Sequence, residues 1–402
     1  MASQETRKIV IIGGAYYISR HPSFSPSTTV TILEASAKGV AQGASGKAGG
    51  LIAKWAYPRE IVDVSFREHV KLAEEHNGKD RWGWRFVGCG SWEGRGDTLC
   101  ESGTGAGQGG KRKSLENPLG VDTSGQANKA SRESKGLPDD LTWVREDLTS
   151  SYSPMAPVND TAQVLPYLFT TSMLDLAKEN GVQLTLGTAT GIDRLGDQVT
   201  GVTYHPSESN PQGSVTIPAT DVIICAGAWS GKVAPNLPIS SARVHSITIQ
   251  PPPSVTIAPY VLFTEIVLPS SSRNTVSPEI HARRDNEVYI SGPGDKSSLP
   301  LNVDDVIVDE AACESIRQHV SSISPELRDG VVEKRQACFL PFVTTGGGPI
   351  IGAMGPGLFV ATGHTCWGIC NAPGTGKLMS ELVMDGQISS AKIQKLDPAL
   401  VL

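Results

Sequence analysis

The stretch KIVIIGGAYYISRHPSF, Lys8–Phe24, decides how the rest of the chain is read. Four apolar residues, Ile9–Ile12, form the pattern of a buried strand. Gly13 and Gly14 follow, and the helical pattern AYYIS starts at once. A dinucleotide fingerprint would continue as G-x-G-x-x-G before its helix began. After the turn-rich HPSFSPST comes a second strand, TVTILE, so residues 9 to 34 read as a βαβ unit with a shortened first turn. Glu34 closes that second strand about twenty residues after Gly14, the spacing at which an acidic side chain accepts hydrogen bonds from a ribose.

Working outward, VDVSFREHVKLAEEHNG is expected to be an amphipathic helix, with Val64, His69, Val70, Leu72 and Ala73 on its apolar side and Gly78 as its C-terminal cap. From Gly94 to Gly136 the composition collapses into Gly, Ser, Lys and Asn, too little apolar surface to offset ordering entropy, and a disordered insertion is expected there. VLPYLFTTSMLDLAKENG reads as a further helix. Residues from about 240 to 345, including SARVHSITIQ and NEVYISG, alternate in the manner of a largely antiparallel sheet. GLFVATGHTCWGICNAPGTGKLMSELVMDG then returns to strand, glycine-rich turn and helix. The nucleotide-type elements lie at both ends of the chain, with the β-rich part between them.

With 402 residues the chain is long enough for two domains. A net charge of -6 gives no electrostatic reason to expect nucleic acid or an anionic membrane as partner. MASQETRK lacks a signal-peptide core, and no apolar run reaches transmembrane length. The seven cysteines are scattered with no C-x-x-C pair, which predicts a reducing, cytoplasmic setting with neither a disulfide framework nor a metal site.

Three further stretches can carry chemistry. GASGKAGGL, Gly43–Leu51, brings small residues and backbone N–H groups close together. DVIICAGAWSG, Asp221–Gly231, is a buried strand running into a small-residue turn beside Trp229. FVATGHTCWGICNAP, Phe359–Pro373, sets Gly363 and Gly368 around His364, Cys366 and Trp367 before a helix, whose N-terminus favours negative charge.

Together these pieces resemble the D-amino-acid oxidase (DAO) superfamily of FAD-dependent oxidoreductases, over nearly the whole chain apart from 94–136, and look most like fungal members of unassigned substrate. The resemblance implies an α/β fold, a Rossmann-like FAD-binding domain with an inserted, mainly antiparallel substrate domain. The FAD-binding domain would comprise 1–80, 155–235 and 346–402, and the substrate domain 81–93, 137–154 and 236–345. It also implies oxidation of a C–N bond in a small amine or amino acid by hydride transfer to flavin, with oxygen as the acceptor.

Carried over by position, Gly13 and Gly14 would face the pyrophosphate and Glu34 the ribose. Ser45, Gly46, Lys47 and Gly50 would line the pyrophosphate-to-flavin stretch. Ala226, Gly227 and Trp229 match a second cofactor segment, and Gly363, His364, Gly368 and Ile369 the last. Arg335, Lys47 and Trp367 are the candidate catalytic residues, Arg335 as carboxylate anchor. Cys338 lies about one residue from the position of a flavin-linked cysteine in some relatives. Against the family pattern about seven residues are absent between Gly14 and Ala15, including two fingerprint glycines. Two other readings stay open: a nicotinamide-dependent dehydrogenase, and a flavin-poor relative serving as an interaction protein.

Overall fold

Ile9 and Ile11 point to one side of the first strand, Arg7–Ile12, and Val10 and Ile12 to the other, and each pair enters a different hydrophobic cluster. A strand apolar on both faces belongs inside a parallel sheet covered on both sides. In the computed structural model, which describes residues 6–12, 15–98, 132–207, 213–269 and 275–402, it lies at the centre of one. The parallel order is Gln183–Leu195, Thr28–Glu34, Arg7–Ile12, Asp221–Ile224, Leu358–Thr362. Antiparallel strands complete the sheet, Gln198–Pro206 and Val215–Pro218 at one end and Ile350–Gly355 at the other.

The AYYIS segment forms only a 3-10 turn, Ile18–Arg20, where a crossover helix was expected. Cover comes instead from two helices distant in sequence. Arg59–Glu75 buries Ile61, Val62, Ser65, Phe66, His69, Leu72 and Ala73, a repeating one-sided pattern. It packs on Gly368–Asp385 so closely that a Cβ at Gly374 would stand 2.1 Å from Ser65 Oγ. Gly78 does not cap this helix. Asn77 takes the left-handed conformation at φ 52°, and Gly78 opens the next short helix, Gly78–Trp82.

A second sheet runs Val331–Val343, Ile239–Gln250, Val288–Asp295, Glu279–Ala282, Tyr260–Val267, Gly88–Arg95, Thr149–Pro154. It is antiparallel except where Tyr260–Val267 meets Gly88–Arg95. Helix Glu310–Ser321, capped by the Asp309 carboxylate accepting from the Ala311 and Ala312 amides, closes a core around Trp92, Trp143, Ile247 and Ile290.

Of the insertion expected at 94–136, residues 99–131 lie outside the described residues. Its margins are folded. Gly94 and Arg95 pair in the sheet, and the Gly96 amide donates to Val267. Arg132 donates to the carbonyls of Pro138 and Leu141.

Candidate functional site

A cavity of about 800 Å³ opens where the parallel strands end. Ile12, Glu34, Gly187 and Ala361 on parallel strands and Cys225 just after Asp221–Ile224 line its wall, and Phe339, Leu340 and Pro341 close it from the second sheet. This is the place at which open parallel sheets take ligands, because the strand ends and following turns present free backbone groups there.

Glu34 lies in this wall, half-buried, with one carboxylate oxygen accepting from the Ser36 amide at 2.9 Å. Burial raises its pKa, the Ser36 hydrogen bond pulls the other way, and nearby Asp304 adds to the rise. Ser45, Ala226, Gly227, Trp229, Gly363, His364, Gly368 and Ile369 line the same cavity. Gly227 holds φ 53° with no atom within 4 Å of an added Cβ, so the turn faces open space. Trp229 is fixed by its Nε1 donating to the Pro300 carbonyl at 2.9 Å. His364 shares a 3.0 Å hydrogen bond with Thr375 Oγ1, and burial pushes its pKa down to about 4. Helix Gly368–Asp385 begins at the cavity with no side chain capping it, so its first N–H groups are available to a negatively charged ligand.

The other expected residues stand elsewhere. Gly13 and Gly14 lie outside the described residues. Gly46 and Gly50 serve chain packing, since a Cβ there would meet the Ala41 carbonyl at 1.9 Å and the Val164 carbonyl at 2.0 Å. Lys47 is turned to the Ala337 carbonyl at 3.0 Å, and burial lowers its pKa. Its neighbour Cys338 is buried, with burial pushing the thiol up to about 11 and Lys47 opposing that rise. Trp367 is outside the cavity lining and packs edge-on against Trp55 with centroids 5.7 Å apart.

Arg335, expected as a carboxylate anchor, does not line the cavity. It pairs with Glu310 at 3.3 Å and Glu314 at 3.6 Å on helix Glu310–Ser321. Gln336, one residue on, points to the opposite face and donates to the Lys47 carbonyl at 3.2 Å. Strand alternation therefore turns Arg335 away from the 45–50 loop.

Sequence reading missed several wall residues: Val40–Gln42, Thr188, and Leu301–Val303. The last group belongs to the connection before helix Glu310–Ser321, and nothing in its local pattern marks it as facing the other sheet. Among the described residues no cluster of His, Cys, Asp and Glu could hold a metal ion, and no helix is long and apolar enough to cross a membrane.

Residues 9–382 match the family described as DAO, FAD dependent oxidoreductase. Two yeast proteins whose names class them as oxidoreductases are similar along their length. TDA3 of Saccharomyces cerevisiae is 34% identical over 509 aligned positions, covering 99% of this chain and 95% of TDA3. C1F5.03c of Schizosaccharomyces pombe is 32% identical over 414 positions, covering 98% of each. Among solved structures, iminodiacetate oxidase from Chelativorans sp. BNC1 superposes with a TM-score of 0.66 at 19% identity, covering 98% of this chain and 99% of that one. Glycine oxidase from Bacillus cereus does so with a TM-score of 0.65 at 15% identity, covering 96% and 99%. These structures share the fold: a Rossmann-like part joined to a mainly antiparallel sheet.

Proposed function

The chain belongs to the DAO family of FAD-dependent oxidoreductases, and on that premise we propose that it holds FAD in the cavity between its two sheets and oxidises the C–N bond of a small amine or amino acid, with oxygen as acceptor. The observation that carries this reading is the cavity itself. It runs from an acidic strand end, Glu34, past an uncapped helix N-terminus at Gly368 to a wall supplied by the second sheet. That donor and acceptor set suits a dinucleotide: a carboxylate for ribose hydroxyls, N–H groups for a negatively charged segment, and apolar walls for rings.

In this reading Glu34 accepts from the ribose hydroxyls. The turns at Ser45, Ala226–Gly227 and Gly363 leave room for a bound group to approach the backbone. The first turn of Gly368–Asp385 places its N–H groups toward the electron-rich end of the flavin. Bound FAD supplies the hydride-accepting chemistry. The residues around it exclude water and orient substrate, so no protein nucleophile is required. We assign Arg335 no part. Lys47 and Trp367 stand outside the cavity lining. The free cysteines among the described residues favour a reducing location, and we place the protein in the cytoplasm.

The test is the flavin content and oxidase activity of the purified protein. Bound flavin, with peroxide formed from a panel of amino acids and secondary amines, supports the proposal. No binding at saturating FAD would sink it. The competing reading, a flavin-poor interaction protein, draws on Ala15–Tyr17 standing in the wall where a crossover helix would begin. It predicts a colourless protein that folds equally well with and without FAD.

A further inference from the structure

Between strand Val288–Asp295 and helix Glu310–Ser321 the chain leaves the second sheet and crosses to the first. Residues 296–308 hold no regular structure beyond the 3-10 turn Val303–Asp305. Both ends of this strap are anchored at home. Arg243 pairs with Asp295 at 3.0 Å and donates to the Ile307 carbonyl at 3.0 Å. The Asp309 amide donates to Nε2 of buried His245 at 2.9 Å, and Val308 packs on the core.

The middle of the strap is held by the other sheet's residues. Trp229 Nε1 and Lys232 Nζ donate to the Pro300 carbonyl at 2.9 and 3.1 Å. Asn302 Nδ2 donates to the Ala35 carbonyl at 3.0 Å and to Thr188 Oγ1 at 3.1 Å. The Asp304 carboxylate accepts from Ser36 Oγ at 2.7 Å and from the Ala37 amide at 2.9 Å. Ala35, Ser36 and Ala37 follow Glu34, Trp229 and Lys232 follow Ala226, and Thr188 lies within the neighbouring strand Gln183–Leu195, while Leu301, Asn302 and Val303 form part of the cavity wall.

The energetic character of these contacts matters. They are polar bonds that water can replace, each of small net worth. Leu301 is 80% exposed and Ile307 74%, so neither of these two large apolar side chains holds the strap down. The clamp also sets Asp304 close to Glu34, whose ionisation it opposes, so one closing interaction carries a like-charge cost. Anchored ends, a polar middle and a repulsive pair describe an element that can open locally without unfolding either sheet.

We propose that residues 296–308 are a latch over the adenosine end of the cavity: closed, they complete the wall around a bound dinucleotide, and their release sets the rate of cofactor exchange. This rests on the FAD-binding reading above. Asp304 and Asn302 act as positioning residues, through Ser36, Ala35 and Thr188.

The experiment measures FAD release from the full-length holoprotein by flavin fluorescence on dilution, with hydrogen exchange of the strap amides followed in parallel. Asn302→Ala and Asp304→Ala are expected to release FAD at least tenfold faster, and Ser36→Ala, the milder change, a few-fold faster. In the unaltered protein ADP alone should slow exchange at 299–304, while FMN alone should not. Release at the unaltered rate in all three variants overturns the latch while leaving FAD binding intact, and so does equal protection by FMN. An unaltered protein that binds no FAD overturns both the latch and the function it rests on. Should Asn302→Ala and Asp304→Ala not fold, the Ser36→Ala rate and the ADP–FMN contrast in the unaltered protein decide the question.

Discussion

The Tyr17 hydroxyl donates to Glu68 across 3.2 Å, and the same carboxylate receives Lys377 Nζ at 2.6 Å. Tyr17 thereby ties the turn after the first strand to both helices that cover the sheet, Arg59–Glu75 and Gly368–Asp385. The fit is close, since a Cβ at Gly376 would stand 2.9 Å from the Tyr17 ring. Tyr16 meets Tyr17 edge-on at 5.0 Å, and its hydroxyl lies 2.7 Å from His76 Nε2. Two anchored tyrosines line the cavity at the point where a dinucleotide fold usually presents the start of its first helix to the pyrophosphate.

FAD should therefore bind this chain weakly. Losing two or three charge-assisted hydrogen bonds, at roughly 1.5–3 kcal/mol each, lowers affinity by several powers of ten. Inserting Gly-Ile-Ile-Gly-Ser-Ser-Thr between Gly14 and Ala15 is expected to raise flavin occupancy sharply. Titration of both proteins with FAD checks this, and equal affinity would show that the short turn is itself a competent site.

Glu34 should trade stability for ligand. Its folded pKa is raised above the ordinary 4.5, chiefly by burial. A carboxyl shifted upward stabilises the fold fully below its unfolded pKa and loses that contribution as pH rises through the folded value. Glu34→Gln should accordingly melt higher than the unaltered protein at neutral pH without cofactor, and at the same temperature below about pH 4. Glu34→Ala should lose flavin retention while remaining folded. Thermal melts across this range, with and without FAD, separate the two effects.

His69 should govern acid sensitivity. It is 1% exposed, its Nε2 donates to the Ile369 carbonyl at 3.0 Å, and its Nδ1 has no partner. Burial pushes its pKa from 6.5 down to about 4. The unfolded chain takes up this proton first, so stability is complete above about pH 6.5 and falls by about 3 kcal/mol as pH approaches 4. Denaturant midpoints should trace that fall, and His69→Phe should reduce it while leaving the part contributed by His364, whose pKa burial likewise pushes down to about 4.

Arg335→Ala should leave substrate KM within about twofold of the unaltered value. Its partners on helix Glu310–Ser321 are the exposed Glu310 and the partly exposed Glu314, pairs worth about 1 kcal/mol or less to stability. A KM rise of an order of magnitude for amino acids alone would restore it as a carboxylate anchor.

Removing 94–136 with a short linker should destabilise the protein. The deletion strips the pairing of Gly94 and Arg95, the Gly96 and Asp97 amide bonds to Val267 and Ser322, and the Lys135 bond to the Glu146 carbonyl. At about 0.5–1.5 kcal/mol for each hydrogen bond, a loss of at least about 3 kcal/mol is expected. A deletion limited to 99–131 keeps all of these bonds, and comparing the two melting curves isolates the folded margins.

Local sequence determined the pieces of this protein. The apolar run Ile9–Ile12, the acidic end of Thr28–Glu34 and the strand Asp221–Ile224 are written in neighbouring residues, because a buried strand needs continuous apolar side chains and a turn needs small ones. Those periods are visible without knowing what the strand pairs with. Tertiary structure alone decided which pieces meet. Arg335 reads as a strand-end cation in reach of a substrate, but its face is set by the register of Val331–Val343 against Ile239–Gln250. One residue of register exchanges the two faces, and no local signal records it. The strap is the same lesson in reverse. Asn302 and Asp304 meet Ala35, Thr188, Ser36 and Ala37 only because two sheets built from distant segments pack with the cavity between them. Contacts of such long sequence separation depend on the packing of whole layers, which residue types alone do not encode.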